Sequence, residues 1–247
     1  KQKWIKADKA GQFRRWFGNQ IYILNWENNG YAIKNHKNPD GSLKSRPQNT
    51  QYFFRDAVSW GKIGSGITSF RYRDATGGFT DAAPSIFGDG VKGICGLLNS
   101  NVFKKFLEIQ GGTLNVTLGI IAGLPIALGA LSSSATDIAD RAIALSSKDW
   151  DEVETSLNFA NIFFVGGNNT IRLLSESWSE WMLETVRRVD NLKQLEESNN
   201  ELFIGIYGLQ DELSPEVPES QITLARADRQ KDCQRLISYA IGCMMGR

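Results

Sequence analysis

Residues 67–73 read Ile67-Thr68-Ser69-Phe70-Arg71-Tyr72-Arg73, and from Val91 onward the rhythm changes. In the first stretch Ile67, Ser69, Arg71 and Arg73 fall on one side, and Thr68, Phe70 and Tyr72 on the other. A period of two is that of a strand, here one that packs aromatics inward and shows arginines outward. After Val91, Ile94, Leu97, Leu98, Val102, Phe106 and Leu107 recur at three- and four-residue steps, which is a helix. The change of period between these stretches gives the expected class: α+β, a β-rich front followed by an α-helical region.

The neighbouring segments follow the same division. In the front, Ile21-Tyr22-Ile23-Leu24, Tyr52-Phe53-Phe54 and Val58-Ser59-Trp60 read as further short strands. Asn28-Asn29-Gly30 and Asn38-Pro39-Asp40-Gly41 read as turns, because Asn, Asp and Gly tolerate positive φ and Pro presets the first turn position. Behind, Ile138, Ala142 and Leu145 mark a short helix. Ile171, Leu174, Trp178, Trp181, Met182, Thr185, Val189, Leu192 and Leu195 mark a long amphipathic one that continues toward Phe203 and Ile206. Pro215 and Pro218 forbid helix in Leu213-Ser214-Pro215-Glu216-Val217-Pro218. A last helix carries Leu236, Ile237, Ala240, Ile241 and Met244. The expected division is residues 1–131, β-rich, and residues 132–247, helical.

Charge follows that division. The 247 residues carry a formal net charge of only +1. Residues 1–80 hold 14 Lys and Arg against 5 Asp and Glu, a net +9, while residues 132–220 hold 6 against 17, a net −11. Such a split predicts two parts with different partners.

Several classes are excluded by what is missing. Cys95, Cys233 and Cys243 form no CxxC pair, and His36 has no partner at a metal-ligand spacing, which argues against a zinc site or disulfide scaffold and for reduced cytoplasmic thiols. There is no GxSxG, Walker A or HExxH pattern. The chain starts at Lys1 without a signal peptide, and both ends look cut, as in a segment of something longer. The uncharged stretch between Glu108 and Asp137 has an apolar centre, Leu-Gly-Ile-Ile-Ala-Gly-Leu-Pro-Ile-Ala-Leu-Gly-Ala-Leu over 118–131. That falls short of the ~20 residues a membrane helix needs and is interrupted by glycines and Pro125. A buried turn and strand is the expectation there. The acids of Asp149-Trp150-Asp151-Glu152-Val153-Glu154 read as a helix start near the positive dipole end. Gly61, Gly64 and Gly66 read as a hairpin turn in preference to a phosphate cradle.

The positive feature is a front where basic and aromatic residues interleave. Arg46, Gln48, Asn49, Arg55, Lys62, Ser65, Arg71 and Arg73 are side chains of the types that read DNA. Arg donates bidentately to guanine, Asn or Gln pairs with adenine, and Lys neutralises phosphate. Tyr52, Trp60 and Tyr72 are candidates to stack on an unpaired base. Composition equally fits aromatics in a core under a solvated charged face, so the choice is left to the structure.

Particular strings then resemble a known family. Ser45-Arg46-Pro47-Gln48-Asn49-Thr50, Val58-Ser59-Trp60-Gly61-Lys62-Ile63 and Phe70-Arg71-Tyr72 are similar to the specificity region of large single-chain DNA adenine methyltransferases. Leu97-Leu98-Asn99-Ser100-Asn101-Val102-Phe103, Thr113-Leu114-Asn115-Val116, Leu124-Pro125-Ile126, Ser147-Lys148-Asp149-Trp150-Asp151, Glu154-Thr155-Ser156, Tyr207-Gly208-Leu209-Gln210-Asp211-Glu212-Leu213 and Ile237-Ser238-Tyr239-Ala240-Ile241-Gly242-Cys243-Met244-Met245-Gly246-Arg247 continue the match. Together they resemble the PglX-like adenine-specific DNA methyltransferases of BREX phage-defence systems. Asn158-Phe159-Ala160-Asn161 and Gly166-Gly167 depart from that pattern.

The resemblance implies a cytoplasmic parent enzyme that transfers methyl from S-adenosylmethionine to adenine N6 in double-stranded DNA. The family's Asn-Pro-Pro-aromatic motif and glycine-rich cofactor motif are both missing, so no catalytic, cofactor or metal residue is carried over. What remains is a target recognition segment that binds duplex DNA beside the parent's methyltransferase domain, with other BREX proteins as further partners and no membrane contact. Its expected contacts are Arg46, Gln48, Asn49, Arg55, Trp60, Lys62, Ser65, Arg71, Tyr72 and Arg73. The alternative is a scaffold module of the same defence system, docking through the acidic helices around residues 178–201 without touching DNA.

Overall fold

The computed structural model describes residues 3–63, 66–110, 116–163, 165 and 173–246. Two three-stranded sheets open the chain. In one, Trp4–Asp8 (β1) is central, with Tyr22–Asn25 (β2) antiparallel on one side and Gly77–Phe79 (β5) parallel on the other. In the other, Ala57–Trp60 (β3) lies between Phe70–Arg73 (β4) and Ser85–Phe87 (β6), both antiparallel to it. The crossing of β1 to β5 ties the start of the front to its end. The backbone of Trp16 donates to Phe70 O (2.9 Å) and accepts from Tyr72 N (2.7 Å), extending the second sheet's edge.

Helices then cover the second sheet. Val91–Leu98 (α2) and Asn101–Ile109 (α3) replace the single helix that the period predicted. The break sits at Asn99 and Ser100 for a local reason. The Asn99 amide accepts from Phe70 N (3.1 Å) and donates to Phe70 O (3.0 Å), and Ser100 Oγ caps α3 by accepting from Phe103 N (3.3 Å). Side chains that bind backbone in this way stop one helix and start the next. Ser133–Asp151 (α5) and Leu174–Tyr207 (α6) pack on α2. Gly96 permits the approach of α6, since a Cβ there would come within 2.7 Å of Asn199 Oδ1, and Gly93 that of the turn before α5, since a Cβ there would strike Ala130 O.

The 34 residues of α6 span roughly 50 Å at about 1.5 Å per residue. Its buried stripe, Trp181, Thr185, Arg188, Val189, Leu192, Leu195, Asn199 and Phe203, keeps helical spacing throughout. Asn200 donates to Pro215 O (2.9 Å) and so fixes the extended 213–218 loop. Arg229–Met244 (α7) closes the chain, held by Asp232, which accepts from the indoles of Trp178 (3.2 Å) and Trp181 (3.1 Å).

The mixed α+β class is therefore observed: small sheets first, then a mainly helical region. One hydrophobic core runs across residue 131, joining Trp16, Val58, Trp60 and Phe70 of the front to Ala139, Val189, Leu192 and Phe203 of the rear.

Four local expectations are corrected. Tyr52-Phe53-Phe54 is not a strand; a 3-10 turn, Thr50–Tyr52, occupies it, entered and left through positive φ at Asn49 (56°) and Phe54 (60°). The apolar 118–131 stretch is not a buried strand. Leu118–Ala122 (α4) is a short helix, a 3-10 turn follows at Leu128–Leu131, and Leu118, Ile126, Leu128 and Leu131 are exposed. Among the described residues no helix is long and apolar enough to cross a membrane. Asn28-Asn29-Gly30 has the positive φ of a turn (50°, 59° and 73°), but these residues form the first turn of a short helical segment, Glu27–Lys34 (α1). Finally, the acids at 149–154 stand at the end of α5, where the dipole repels them; arginines neutralise two of the four, Arg14 pairing with Asp149 (2.8 Å) and Arg188 with Glu152 (2.8 Å).

Candidate nucleic-acid interface

The expected contact residues separate into two groups according to how the second sheet is covered. One face of β4 lies on the helices, where Phe70 meets the Phe103 ring at 5.8 Å. The other face, carrying Arg71 and Arg73, is covered too. Both arginines are 2% exposed, and so is Asp8 of β1, which acts electrostatically on each. Desolvation lowers both arginine pKa values, and Asp8 opposes it. The outward arginine face expected from the alternation is thus overturned: in a sheet covered on both sides, alternation no longer sorts inside from outside. Arg73 donates to Gly77 O (3.1 Å) and lies against the rings of Phe79 and Phe87. Trp60 is fully buried, its indole donating to Val116 O (2.7 Å), so it presents no stacking surface. Tyr72 is half-buried in the same sheet, and burial raises its phenol pKa. Ser65 lies outside the described residues, as do Gly64 and Gly166-Gly167.

The second group is exposed and converges. A cleft of about 730 Å³ is walled by Asn49, Tyr52, Lys62, Phe79, Asp81 and Phe87, among others. Its aromatic wall is layered: Tyr52 packs on Phe87 with centroids 5.0 Å apart, and Phe87 on Phe79 at 5.5 Å. Arg55 lies over the Tyr52 ring at 5.4 Å. The backbone of Lys62 is pinned, its N–H to Ala82 O (3.1 Å) and its carbonyl to Val116 N (3.2 Å), while its side chain is exposed. Arg46 and Gln48 are exposed on the connection that leads into Asn49. Among the described residues no ion pair engages Arg46, Arg55 or Lys62. Chemically, the cleft offers an aromatic ring, an amide with donor and acceptor, and the Lys62 and Arg55 cations, with the Asp81 carboxylate in the same wall.

Two features escaped the sequence. The Phe87 ring was not singled out, although its place opposite Ala57 in the register puts it behind Tyr52. Asp8 was not singled out either; a lone acid closing an apolar-alternating strand, facing a basic strand, is the signal that could have flagged a buried charge.

No family model matches the chain. It is 34% identical over 251 residues to the "Adenine-specific methyltransferase PglX" of Lacticaseibacillus casei (strain Zhang), a match covering 99% of this chain and 21% of that protein. It is 24% identical over 265 residues to the "Adenine-specific methyltransferase BrxX" of Escherichia coli O9:H4 (strain HS), again covering 99% of this chain and 21% of the relative. The chain thus spans about a fifth of the length of these relatives, and over nearly all of its own length it is homologous to one segment of the adenine-specific methyltransferases PglX and BrxX.

Proposed function

We propose that this chain is the DNA target-recognition segment of a BREX-type adenine-specific methyltransferase, binding duplex DNA and selecting the methylated site. The observation that carries this is the cleft that brings Asn49, Tyr52 and Lys62 together, with Arg55 over the Tyr52 ring. Lys62 and Arg55 act on phosphates, which position without specifying; Asn49, Gln48 and Arg46 carry the donor and acceptor patterns that specify. Arg71, Arg73 and Trp60 support the sheet beneath, in place of the base-reading role expected of them.

The parent's methyl donor, S-adenosylmethionine, is assigned no residue in this chain. The string closest to the missing Asn-Pro-Pro-aromatic motif, Asn38-Pro39-Asp40-Gly41, is a surface turn closed by Asn38 N to Ser42 O (2.8 Å), with Asp40 engaged by Ser42. It is a hairpin tip and presents no reactive cleft.

The test is a mobility-shift titration of the intact protein on duplex DNA. Changing Lys62→Glu and Arg55→Glu weakens binding by about tenfold each at low salt and flattens the salt dependence, by roughly one unit of log–log slope for each phosphate no longer neutralised. Asn49→Ala relaxes sequence choice and leaves the salt slope unchanged. Binding unaffected by all three changes overturns the proposal. The scaffold alternative is favoured by the exposed apolar row Ile237, Ile241 and Met244 on α7; docking through such a row holds as salt rises, whereas DNA binding falls.

A further inference from the structure

Buried polar groups in a folded chain almost always find a partner, and unsatisfied ones are costly, more so when charged. Among the described residues seven buried side-chain N or O atoms without a hydrogen-bond partner gather in one cluster: both carboxylate oxygens of Asp8, Ser59 Oγ, and Nε and Nη2 of Arg71 and of Arg73. Ser59 stands directly across from Arg71 in the β3–β4 register. Asp8 acts on both guanidinium groups, and Asp74 and Asp56 act on Arg73 besides, so Arg71 shares its one carboxylate while Arg73 has three.

The two arginines are not equivalent. Arg73 has the Gly77 carbonyl and two aromatic rings against it. Arg71 has neither, and it lines a second cleft of about 700 Å³, between the 11–13 segment that follows β1 and residues 61, 63 and 66–69. Among the described residues it is the one charged group in that wall. The backbone on either side of it is bonded to Trp16, which prevents the strand from turning Arg71 out to solvent. Around it stand the Thr68 hydroxyl, the Gln12 amide and Ser69, whose Oγ accepts from Arg14 N (3.3 Å) and keeps its own O–H to donate. Phe13, Ile63 and Ile67 form an exposed apolar rim.

We infer that this second cleft is an oxyanion site in which the Arg71 guanidinium, with the Thr68, Ser69 and Gln12 donors, takes a phosphate group. A buried guanidinium with no hydrogen-bond partner at Nε or Nη2, in a wall that holds no carboxylate, matches a phosphate's several acceptor oxygens. Burial of the guanidinium strengthens the pairing, because low dielectric raises the value of each charge-assisted hydrogen bond. The shared chemistry is the phosphate. Its source is either a backbone phosphodiester of DNA or a free phosphate compound, and the site stands independently of the DNA reading above.

The experiment is equilibrium dialysis of the intact protein against radiolabelled inorganic phosphate, at ionic strength held constant with chloride. Saturable uptake at one site is expected. Arg71→Lys keeps the charge and loses the fork, and weakens uptake by about tenfold. Ile67→Asp sets a negative charge on the rim without touching a buried residue and weakens it similarly, so it decides the matter if the Arg71 variant does not fold. Displacement of phosphate by a short duplex identifies the DNA backbone as the source; saturable uptake that the duplex does not displace identifies a free phosphate compound. Absence of saturable uptake, or uptake unchanged in both variants, overturns the inference.

Discussion

The front and the rear of this chain use charge in opposite ways. The front's exposed cations, Arg46, Arg55 and Lys62, are in no ion pair among the described residues, and Arg55 and Lys62 stand at a cleft, whereas acids of the rear such as Asp149, Glu152 and Glu196 are spent on structure. Arg188, almost fully buried in α6, is held by Glu152 and Glu184. Arg14 and Arg15 cross from the front to Asp149 and Glu196, and Trp16 adds an indole hydrogen bond to Glu196 (2.8 Å). Some of the basic excess in residues 1–80 is thus complementary to the acidic excess behind it. A charge split that suggests two outside partners also forms an internal seam, and only what the seam leaves over is available to DNA.

The largest test of this comparison cuts the seam. Glu196→Ala leaves Arg15 buried and unpaired, with Trp16 lacking its acceptor, and is expected to cost about 3–5 kcal/mol in denaturant unfolding. A loss below about 1 kcal/mol would show that front and rear do not depend on this pair. Ser100→Ala removes the α3 cap where the front's sheet meets the helices and is expected to cost about 1 kcal/mol. Lys92→Ala breaks a pair with Asp140 (2.6 Å) whose side chains are 35% and 45% exposed, and is expected to change stability by no more than about 0.5–1 kcal/mol, vanishing at high salt. The smallest effect is chemical. Burial pushes the Cys95 thiol up to about 12, so it stays protonated at pH 8, while Cys233 and Cys243 are exposed on α7. A thiol reagent is expected to titrate two cysteines in the native protein and the third only on unfolding; three fast-reacting thiols would mean that α2 is not packed on the second sheet.

The helical rear was legible because burial there is one-sided. Along α6 the stripe from Trp181 to Phe203 repeats at helical spacing, and even its polar members, Glu196 and Asn199, keep the register. The front was legible only to a degree. β2 and β3 followed their β-branched and aromatic residues, but the 52–54 aromatics were bent into a turn by positive φ at Asn49 and Phe54, which no residue pattern announces for Phe. Of the candidate site, Asn49, Arg55 and Lys62 converge, with Arg46 and Gln48 exposed on the adjoining connection, because they sit on connections that face solvent. Arg71 and Arg73 do not, because a β-strand's period says which residues share a face and nothing about what covers it.

By itself, then, the sequence determined the order of elements, the long α6, the proline-bound loop, the break in charge and the homology to a methyltransferase segment, since all of these are local in the chain or carried by its order of residues. Tertiary structure decided which charges are spent and which are free. That depended on pairings between residues far apart in sequence, Arg14 with Asp149, Arg15 with Glu196 and Asp8 facing Arg71, and on the desolvation that follows when a second layer closes over a strand.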